Sequence, residues 1–291
     1  MPYCFRLAAS RDRDAVFAFC AQTWPNGDYI PLVWDEWLGD REGAFVAGID
    51  EADAPIAVAK LSVAAPGEGW LEGVRVAPER RERGLGRALL NYLADYAWAH
   101  GLRTLRFITE AANAPMHHVA AACGFAVVGA HQPFRTEATG PAGARLARPE
   151  EAPTLWEAAR AALAPAELIR WQAWTGAAAT PGWLAVECAA GHALVAADRS
   201  FVVLAPPHTW RSAPHGRPPV VEVAFLAATA AACPELLAAA QGWAAAHGSE
   251  QVFGLLPPVA VPAAHAAGWA SRTERPMDLF RRDRPAGQSL E

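Results

Sequence analysis

Residues 76–87 read Val76-Ala77-Pro78-Glu79-Arg80-Arg81-Glu82-Arg83-Gly84-Leu85-Gly86-Arg87, and the fold is decided by this stretch. It joins a short apolar run, 70–76, to a helical run in which Leu85, Leu89, Leu90, Leu93 and Ala97 form one face, stopped by Gly101. A glycine-permissive loop that opens a helix can turn several backbone N–H groups toward one anion, with the helix dipole favouring negative charge. Arg81, Arg83 and Arg87 would add charge-assisted contacts. The spacing departs from both Gly-x-Gly-x-x-Gly and Gly-Lys-Ser/Thr. A phosphate-bearing ligand is the first functional expectation, and a plain surface turn before a helix is the competing one.

Outward from this loop, strands are predicted at 3–8, 44–49, 56–63, 70–76, 104–109 and 125–129. Helices are predicted at 11–22, 84–100 and 114–122, the last with Asn113 as N-cap, and a Trp-containing amphipathic segment at 33–39. Outer helices around a mostly strand layer indicate an α/β or α+β architecture.

Beyond the Pro- and Gly-rich stretch 136–143 the pattern recurs. Arg6-Leu7-Ala8 is echoed by Arg145-Leu146-Ala147, the strand 70–76 by 218–225, Ala99-His100-Gly101 by Ala246-His247-Gly248, and Gly124-Phe125 by Gly268-Trp269. Two copies of one domain follow, 1–135 and 144–291, with 136–143 as the link. At a 147-residue offset the 81–86 loop falls opposite Ala228-Thr229-Ala230-Ala231-Ala232-Cys233, which has neither glycine nor arginine, so the second copy is expected to lack the anion cradle. Runs at 183–188, 192–197 and 200–205 read as hairpin strands that would keep its sheet.

Composition narrows the function classes. The 291 residues are 53% hydrophobic and 19% charged, enough for a substantial core. A formal charge of −5 gives no global attraction to nucleic acid or an anionic membrane, although all but Lys60 of the 25 basic residues are arginine. Five scattered cysteines without a Cys-x-x-Cys pair read as free thiols of a reducing compartment. With no signal-like leader and no apolar run of membrane-spanning length, a cytoplasmic location is the default expectation. The nine histidines lack ligand spacing, so no metal is expected.

Val76-x-Pro78-x-x-Arg81-x-x-Gly84-x-Gly86-x-x-Leu89-Leu90 resembles the acetyl-CoA motif of the GNAT N-acetyltransferases, and a second signature of that superfamily follows as Asn113-x-x-Met116 and Gly124-Phe125. The resemblance implies tandem acyl-CoA N-acyltransferase folds, each a mixed, mostly antiparallel sheet flanked by helices, the second degenerate. Asp28-Tyr29-Ile30-Pro31, Trp34-x-x-Trp37 and Leu71-Glu72-Gly73-Val74-Arg75-Val76 are similar to a subgroup that includes histidine and other amino-acid N-acetyltransferases. The resemblance further implies that 70–76 and 104–109 splay apart around the pantetheine arm of acetyl-CoA. The backbone of Val74, Arg75 and Val76 would meet that arm, the loop Arg81, Glu82, Arg83, Gly84, Leu85, Gly86 and Arg87 would grip the pyrophosphate, and Asn113 would sit near the thiol or act only as a helix cap.

Acyl transfer to an amine needs the amine deprotonated, the carbonyl oxygen stabilised and the thiolate protonated. Glu72 is the base candidate, because strand alternation would place it on the face of Val74 and Val76; it would act directly, through water, on the substrate charge, or only in the fold. The tyrosine that such proteins often carry seven residues after the asparagine is Ala120 here, so His117 or its neighbour His118, Tyr29, Tyr92 or solvent would supply the proton. Asp28, Tyr29, Trp34 and Glu72 are expected at the substrate, although each tryptophan among 12 is also read as packing. The expected activity is acetyl-CoA-dependent N-acetyl transfer (EC 2.3.1.-) to a primary amine of a small molecule, including a free amino acid, by a monomer or homodimer. The alternative is a catalytically weak or inactive acyl-CoA-binding regulatory module.

Overall fold

The chain begins with β1 (Cys4–Leu7), α1 (Arg13–Cys20), α2 (Ile30–Gly39), β2 (Ala44–Ile49), β3 (Pro55–Ala65) and β4 (Glu68–Val76). It continues through α3 (Leu85–Ala99), β5 (Thr104–Glu110), α4 (Ala114–Ala122) and β6 (Ala126–Glu137). The structure is a computed structural model that describes residues 3–21, 23, 27–81, 84–141, 143–209 and 218–286.

The second half runs β7 (Arg145–Leu146), α5 (Ala152–Ala162), β8 (Ile169–Gln172), β9 (Thr175–Ala178), α6 (Pro181–Ala189), β10 (Ala193–Val195), β11 (Phe201–His208) and β12 (Val220–Ala227). Then come α7 (Cys233–Ala246), β13 (Gln251–Leu256), α8 (Val261–Ala266), β14 (Ala270–Ser271) and β15 (Met277–Asp283). Apart from the inserted hairpin β8–β9 and the terminal β15, this repeats the order of the first half element for element. Segment 183–188, expected as a strand, lies within α6: the Thr180 side chain accepts from Trp183 N, and Pro181 supplies a preset first turn. The apolar run Trp183-Leu184-Ala185-Val186 satisfies either period, and the cap decides it.

One mixed sheet carries both halves, in the order β1-β2-β3-β4-β5-β15-β6-β13-β12-β11-β10-β7. Neighbours are antiparallel except β4–β5 and β12–β13. α3 and α4 cover one face of the first half, with Leu89, Leu90 and Leu93 fully buried, while α1 and α2 cover the other through Ile30, Trp34 and Trp37. The second half repeats this, with α7 and α8 on one face and α5 and α6 on the other. The β8–β9 hairpin lies across the central strands, where Trp171 meets Trp70 edge-on at 5.9 Å.

The expected link at 136–143 does not separate the halves. β6 runs through residue 137, pairing with β15 through Ala126–His131 and with β13 through Gln132–Glu137. β15, from the end of the chain, pairs along all of β5, from Met277↔Glu110 to Asp283↔Thr104. Each half thus lends a strand to the other. Phe280 of β15 is 2% exposed and stacks on Phe107 at 4.7 Å inside the first half's core.

Phe280→Ala is expected to lower unfolding free energy by about 3–4 kcal/mol in urea titrations, the cost of an aromatic cavity in a packed core. A chain ending at Pro276 should lose the cooperative transition of the first half; a truncated chain that retains it would show that β15 is dispensable.

Candidate active site

β4 pairs with β3 through Lys60↔Glu72 and Val58↔Arg75, so β4 has one residue more than β3 over this interval. The extra residue is a bulge at Gly73–Val74. Gly73 has φ +63°, and a Cβ there would lie 2.5 Å from Trp37 Cη2, so both backbone and packing demand glycine. The bulge shifts the alternation. Leu71, Val74 and Val76 face the α3 core, whereas Glu72 and Arg75 lie on the opposite face, with Tyr29 and Trp37. The expectation that Glu72 shares a face with Val74 and Val76 is therefore corrected: strict period-2 alternation fails wherever a strand is bulged.

Around the bulge, Ser62 Oγ donates to Glu72 Oε1 at 3.0 Å. Arg75 donates through Nε to Asp28 Oδ2 at 2.5 Å, through Nη2 to Asp28 Oδ1 at 3.2 Å, and through Nη1 to Val74 O at 3.1 Å. The Asp28 side chain is fully buried. The Arg75 guanidinium also lies 5.5 Å from the Tyr29 ring centroid, and Tyr29 meets Trp37 edge-on. Burial pushes the Tyr29 phenol above its ordinary value, the charge of Glu72 adds to the rise, and Arg75 and the Gly73 backbone amide oppose it. Tyr29 therefore stays protonated through the neutral range.

β4 and β5 share only the parallel pairs Glu68↔Thr104, Gly69↔Leu105 and Trp70↔Arg106. Beyond them β4 runs six residues further and β5 four without pairing to each other, which is the opening expected between 70–76 and 104–109. On the α3 face, Gly84 caps the helix at φ +76°, and Arg81 Nε donates to Val76 O at 3.2 Å. Gly86 has no protein reason to be glycine: its φ is not positive, and a Cβ would meet only Val76 Cγ2, at 3.9 Å. A bare first helical turn exposed beside Arg81 and Arg87 fits a diphosphate approaching the amides closely. Glu82 and Arg83 lie outside the described residues.

Several expected residues take other places. Trp34 is 1% exposed, between Phe17 at 5.5 Å and Phe45 at 5.0 Å, which is a packing position. The Arg75 side chain is committed to Asp28 on the face away from α3, so only its backbone faces the strand opening. Asn113 accepts from Met116 N and donates to Thr109 Oγ1, acting as the α4 cap. His117 turns toward β15, with Nε2 3.5 Å from Asp278 Oδ2 and its ring edge-on to Phe280 at 4.9 Å. It is thus two strands from β4, on the opposite face from Glu72 and Tyr29. Ala120 is fully buried, and burial raises the Cys123 thiol, whose Sγ donates to Arg87 O.

Sequence reasoning missed the Arg75–Asp28 fork and Ser62. Alternation in β3, where Ala57, Ala59 and Leu61 face the α3 core, would have put Lys60 and Ser62 beside Glu72.

In the second half, the loop from β12 to α7 is only 228–232, against 77–84 in the first. Its cap Ala232 is right-handed, and Pro234 removes an amide from the first turn. Among the described residues there is no group of three or more His, Cys, Asp or Glu side chains able to hold a metal ion, and no helix is long and apolar enough to cross a membrane. A separate cleft of about 450 Å³, counted out to open solvent, lies where β12 and β13 part, lined by His131, Trp171, Phe225 and Leu255. It contains none of Glu72, Tyr29 or the α3 loop.

Residues 11–125 match the model of the acetyltransferase (GNAT) family. This segment is therefore GNAT-like in sequence, and it contains the bulge, Glu72, Tyr29 and the α3 loop. A histidine N-acetyltransferase from Oreochromis niloticus is 30% identical over 92 residues, which are 31% of this chain and 27% of that protein, so the likeness spans about a quarter of the relative's length. Over the whole chain the likeness is one of fold. A GCN5-related N-acetyltransferase from Sphaerobacter thermophilus superposes with TM-score 0.59 at 16% identity, over 97% of this chain and 96% of that one. A protein assigned as an acetyltransferase from Thermoplasma acidophilum superposes with TM-score 0.58 at 15% identity, over 97% and 100%. The mixed α/β sheet with flanking helices is thus the acyl-CoA N-acyltransferase fold.

Gly86→Ala should separate stability from binding. It is expected to stabilise the ligand-free protein by about 0.5–1 kcal/mol in urea unfolding while weakening CoA binding at least tenfold by calorimetry; unchanged CoA affinity would remove the loop from the binding site. His131, 6% exposed, is pushed down to about 4 by burial. Its folded value lies below its unfolded one, so its contribution is complete above about pH 6.5 and is lost as pH falls toward 4. Between pH 7 and 4.5 the native chain should lose roughly 2–3 kcal/mol that His131→Gln does not lose.

Proposed function

We propose that this protein is an acetyl-CoA-dependent N-acetyltransferase acting on a primary amine of a small molecule, with one cofactor site in the first half and a second half that is a non-binding copy. The observation that carries the reading is the placement of Glu72 and Tyr29 at the Gly73–Val74 bulge, beside the β4–β5 opening and within the GNAT-like segment. The bare, left-handed-capped start of α3 supports a CoA diphosphate site, and the shorter, proline-containing loop before α7 supports only one such site.

Acetyl-CoA would supply a thioester as acyl donor. Glu72, held by Ser62, would take a proton from the acceptor ammonium, directly or through one water. Backbone N–H groups released by the bulge would meet the developing oxyanion, so no side chain is needed for that role. Tyr29, kept protonated by burial, would donate to the leaving sulfur and recover its proton from Glu72, so that of the two protons the ammonium nitrogen loses on becoming an amide one would reach the thiol and the other would pass to solvent. In place of His117, this gives the donor role to a group on the same face as the base.

Glu72→Gln should reduce kcat/KM for an amine acceptor by roughly 10²-fold and abolish the acidic limb of the pH–rate profile, while Tyr29→Phe should lower kcat with CoA affinity unchanged. An unaltered pH profile in Glu72→Gln would exclude it as the titrating base. The burial of Ala120, where related proteins often carry tyrosine, favours a second reading as an acyl-CoA-binding regulatory module. Acceptor-dependent thiol release separates the two, since a module binds CoA without it.

A further inference from the structure

The inserted hairpin β8–β9 has no counterpart in the first half, and both halves fasten it. At its open end Ala178 N donates to Glu68 Oε2 at 2.8 Å, and Arg170 Nη2 donates to Ala64 O at 3.4 Å. Glu68 Oε2 also accepts from Arg106 Nη1 at 2.7 Å. At the turn, Ala173 and Trp174 hold φ angles of +48° and +69°, which non-glycine residues adopt only under constraint. Ala173 N donates there to Glu222 Oε2 at 2.6 Å. Glu222 stands in the second half where Glu72 stands in the first: the pairs Ala205↔Glu222 and Val203↔Phe225, with one extra residue in β12 between them, repeat Lys60↔Glu72 and Val58↔Arg75.

This fastening delivers Trp171 to the first half. The Trp171 ring, 5% exposed, meets Trp70 of β4 and shares a cluster with Ile108, which lies two residues past the last β4–β5 pair. Gly176 is opposite Trp171 in the hairpin; its φ is not positive, and a Cβ there would come within 2.9 Å of Trp171 Cζ3, so the ring and not the backbone demands glycine. Beyond Glu72 on the same strand, Trp37 packs on Gly73. Trp70 and Gly73 are separated by about 10 Å of strand, and the partly exposed Glu72 lies between them. We propose that the β8–β9 hairpin, through Trp171, is the second wall of the acceptor site, facing Trp37 across Glu72, and that it limits acceptors to amines with a slim body, an unbranched chain or a single ring. This extends the acetyltransferase reading of Glu72 and rests on it. The half without a cofactor loop thereby selects the acceptor, while the first half holds the donor.

The test uses the full chain, saturating acetyl-CoA and two amines of different width, phenethylamine and 2-(1-naphthyl)ethylamine. The native chain is expected to prefer phenethylamine by about tenfold or more in kcat/KM, and Trp171→Ala to remove most of that preference with CoA affinity by calorimetry unchanged. Trp171→Phe, which keeps a ring on Trp70, should retain it. A native chain indifferent to width would overturn the proposal, and so would a preference that survives Trp171→Ala, including an equal fall for both amines, the outcome of a merely structural role. Should Trp171→Ala fail to fold, Trp171→Leu keeps the cluster apolar and carries the same expectation. If neither amine is acetylated, the acetyltransferase reading fails separately, and calorimetry of both amines on the CoA complex decides the proposal. Naphthyl binding that improves relative to phenethylamine in the variant supports the wall, whereas an unchanged ratio or absent binding overturns it.

Discussion

Three parallel backbone pairs join β4 to β5, and the rest of the molecule is arranged around the place where they end. Past Trp70 the two strands part, so each must find partners elsewhere or face an opening. β4 meets this with β3 and a bulge; β5 meets it with β15, brought from the end of the chain. A strand edge left bare would be an unsatisfied ladder, and the exchange covers it on one side while leaving the opening on the other. The same exchange makes the second half necessary to the first, because β15 supplies Phe280 to the core beneath α4.

The bulge sets which side chains border this opening. It moves one residue out of register, so that Val74 and Val76 line the α3 side while Glu72 and Arg75 reach the opposite face. Glycine at 73 permits it twice over, by its backbone angle and by yielding space to Trp37. Arg75 then ties the bulge to the loop before α2 with a fork on Asp28 and a bond to Val74 O. A pair this buried is a weak source of net stability, but removing either partner leaves a charge uncompensated, which gives it the means to hold Tyr29 and the bulge in one arrangement.

The second half keeps the order of elements without the local features that precede α3. It retains the element order and the parting of parallel strands β12 and β13, with a register shift in β12 at the corresponding place. What it lacks is local: the longer loop, the left-handed glycine cap and an unobstructed first helical turn. Burial of β12 and α7 preserves the fold whatever the loop contains, because apolar packing asks only for size and period.

The helix 85–99, the cap at Asn113 and the recurring order of elements were legible in the sequence because each depends on residues a few positions apart, where glycine, proline and apolar period act directly on the backbone. Glu72, Tyr29 and Asp28 were expected together from the sequence, but not the face of β4 that carries them. Their faces depend on a bulge whose existence is a register between β3 and β4, and Asp28 proves to be committed to Arg75, 47 positions away. The exchange of β6 and β15 and the turning of His117 toward Asp278 were likewise decided only in the tertiary structure, since strand partnership and charge pairing are set by which surfaces meet and not by which residues are neighbours in the chain.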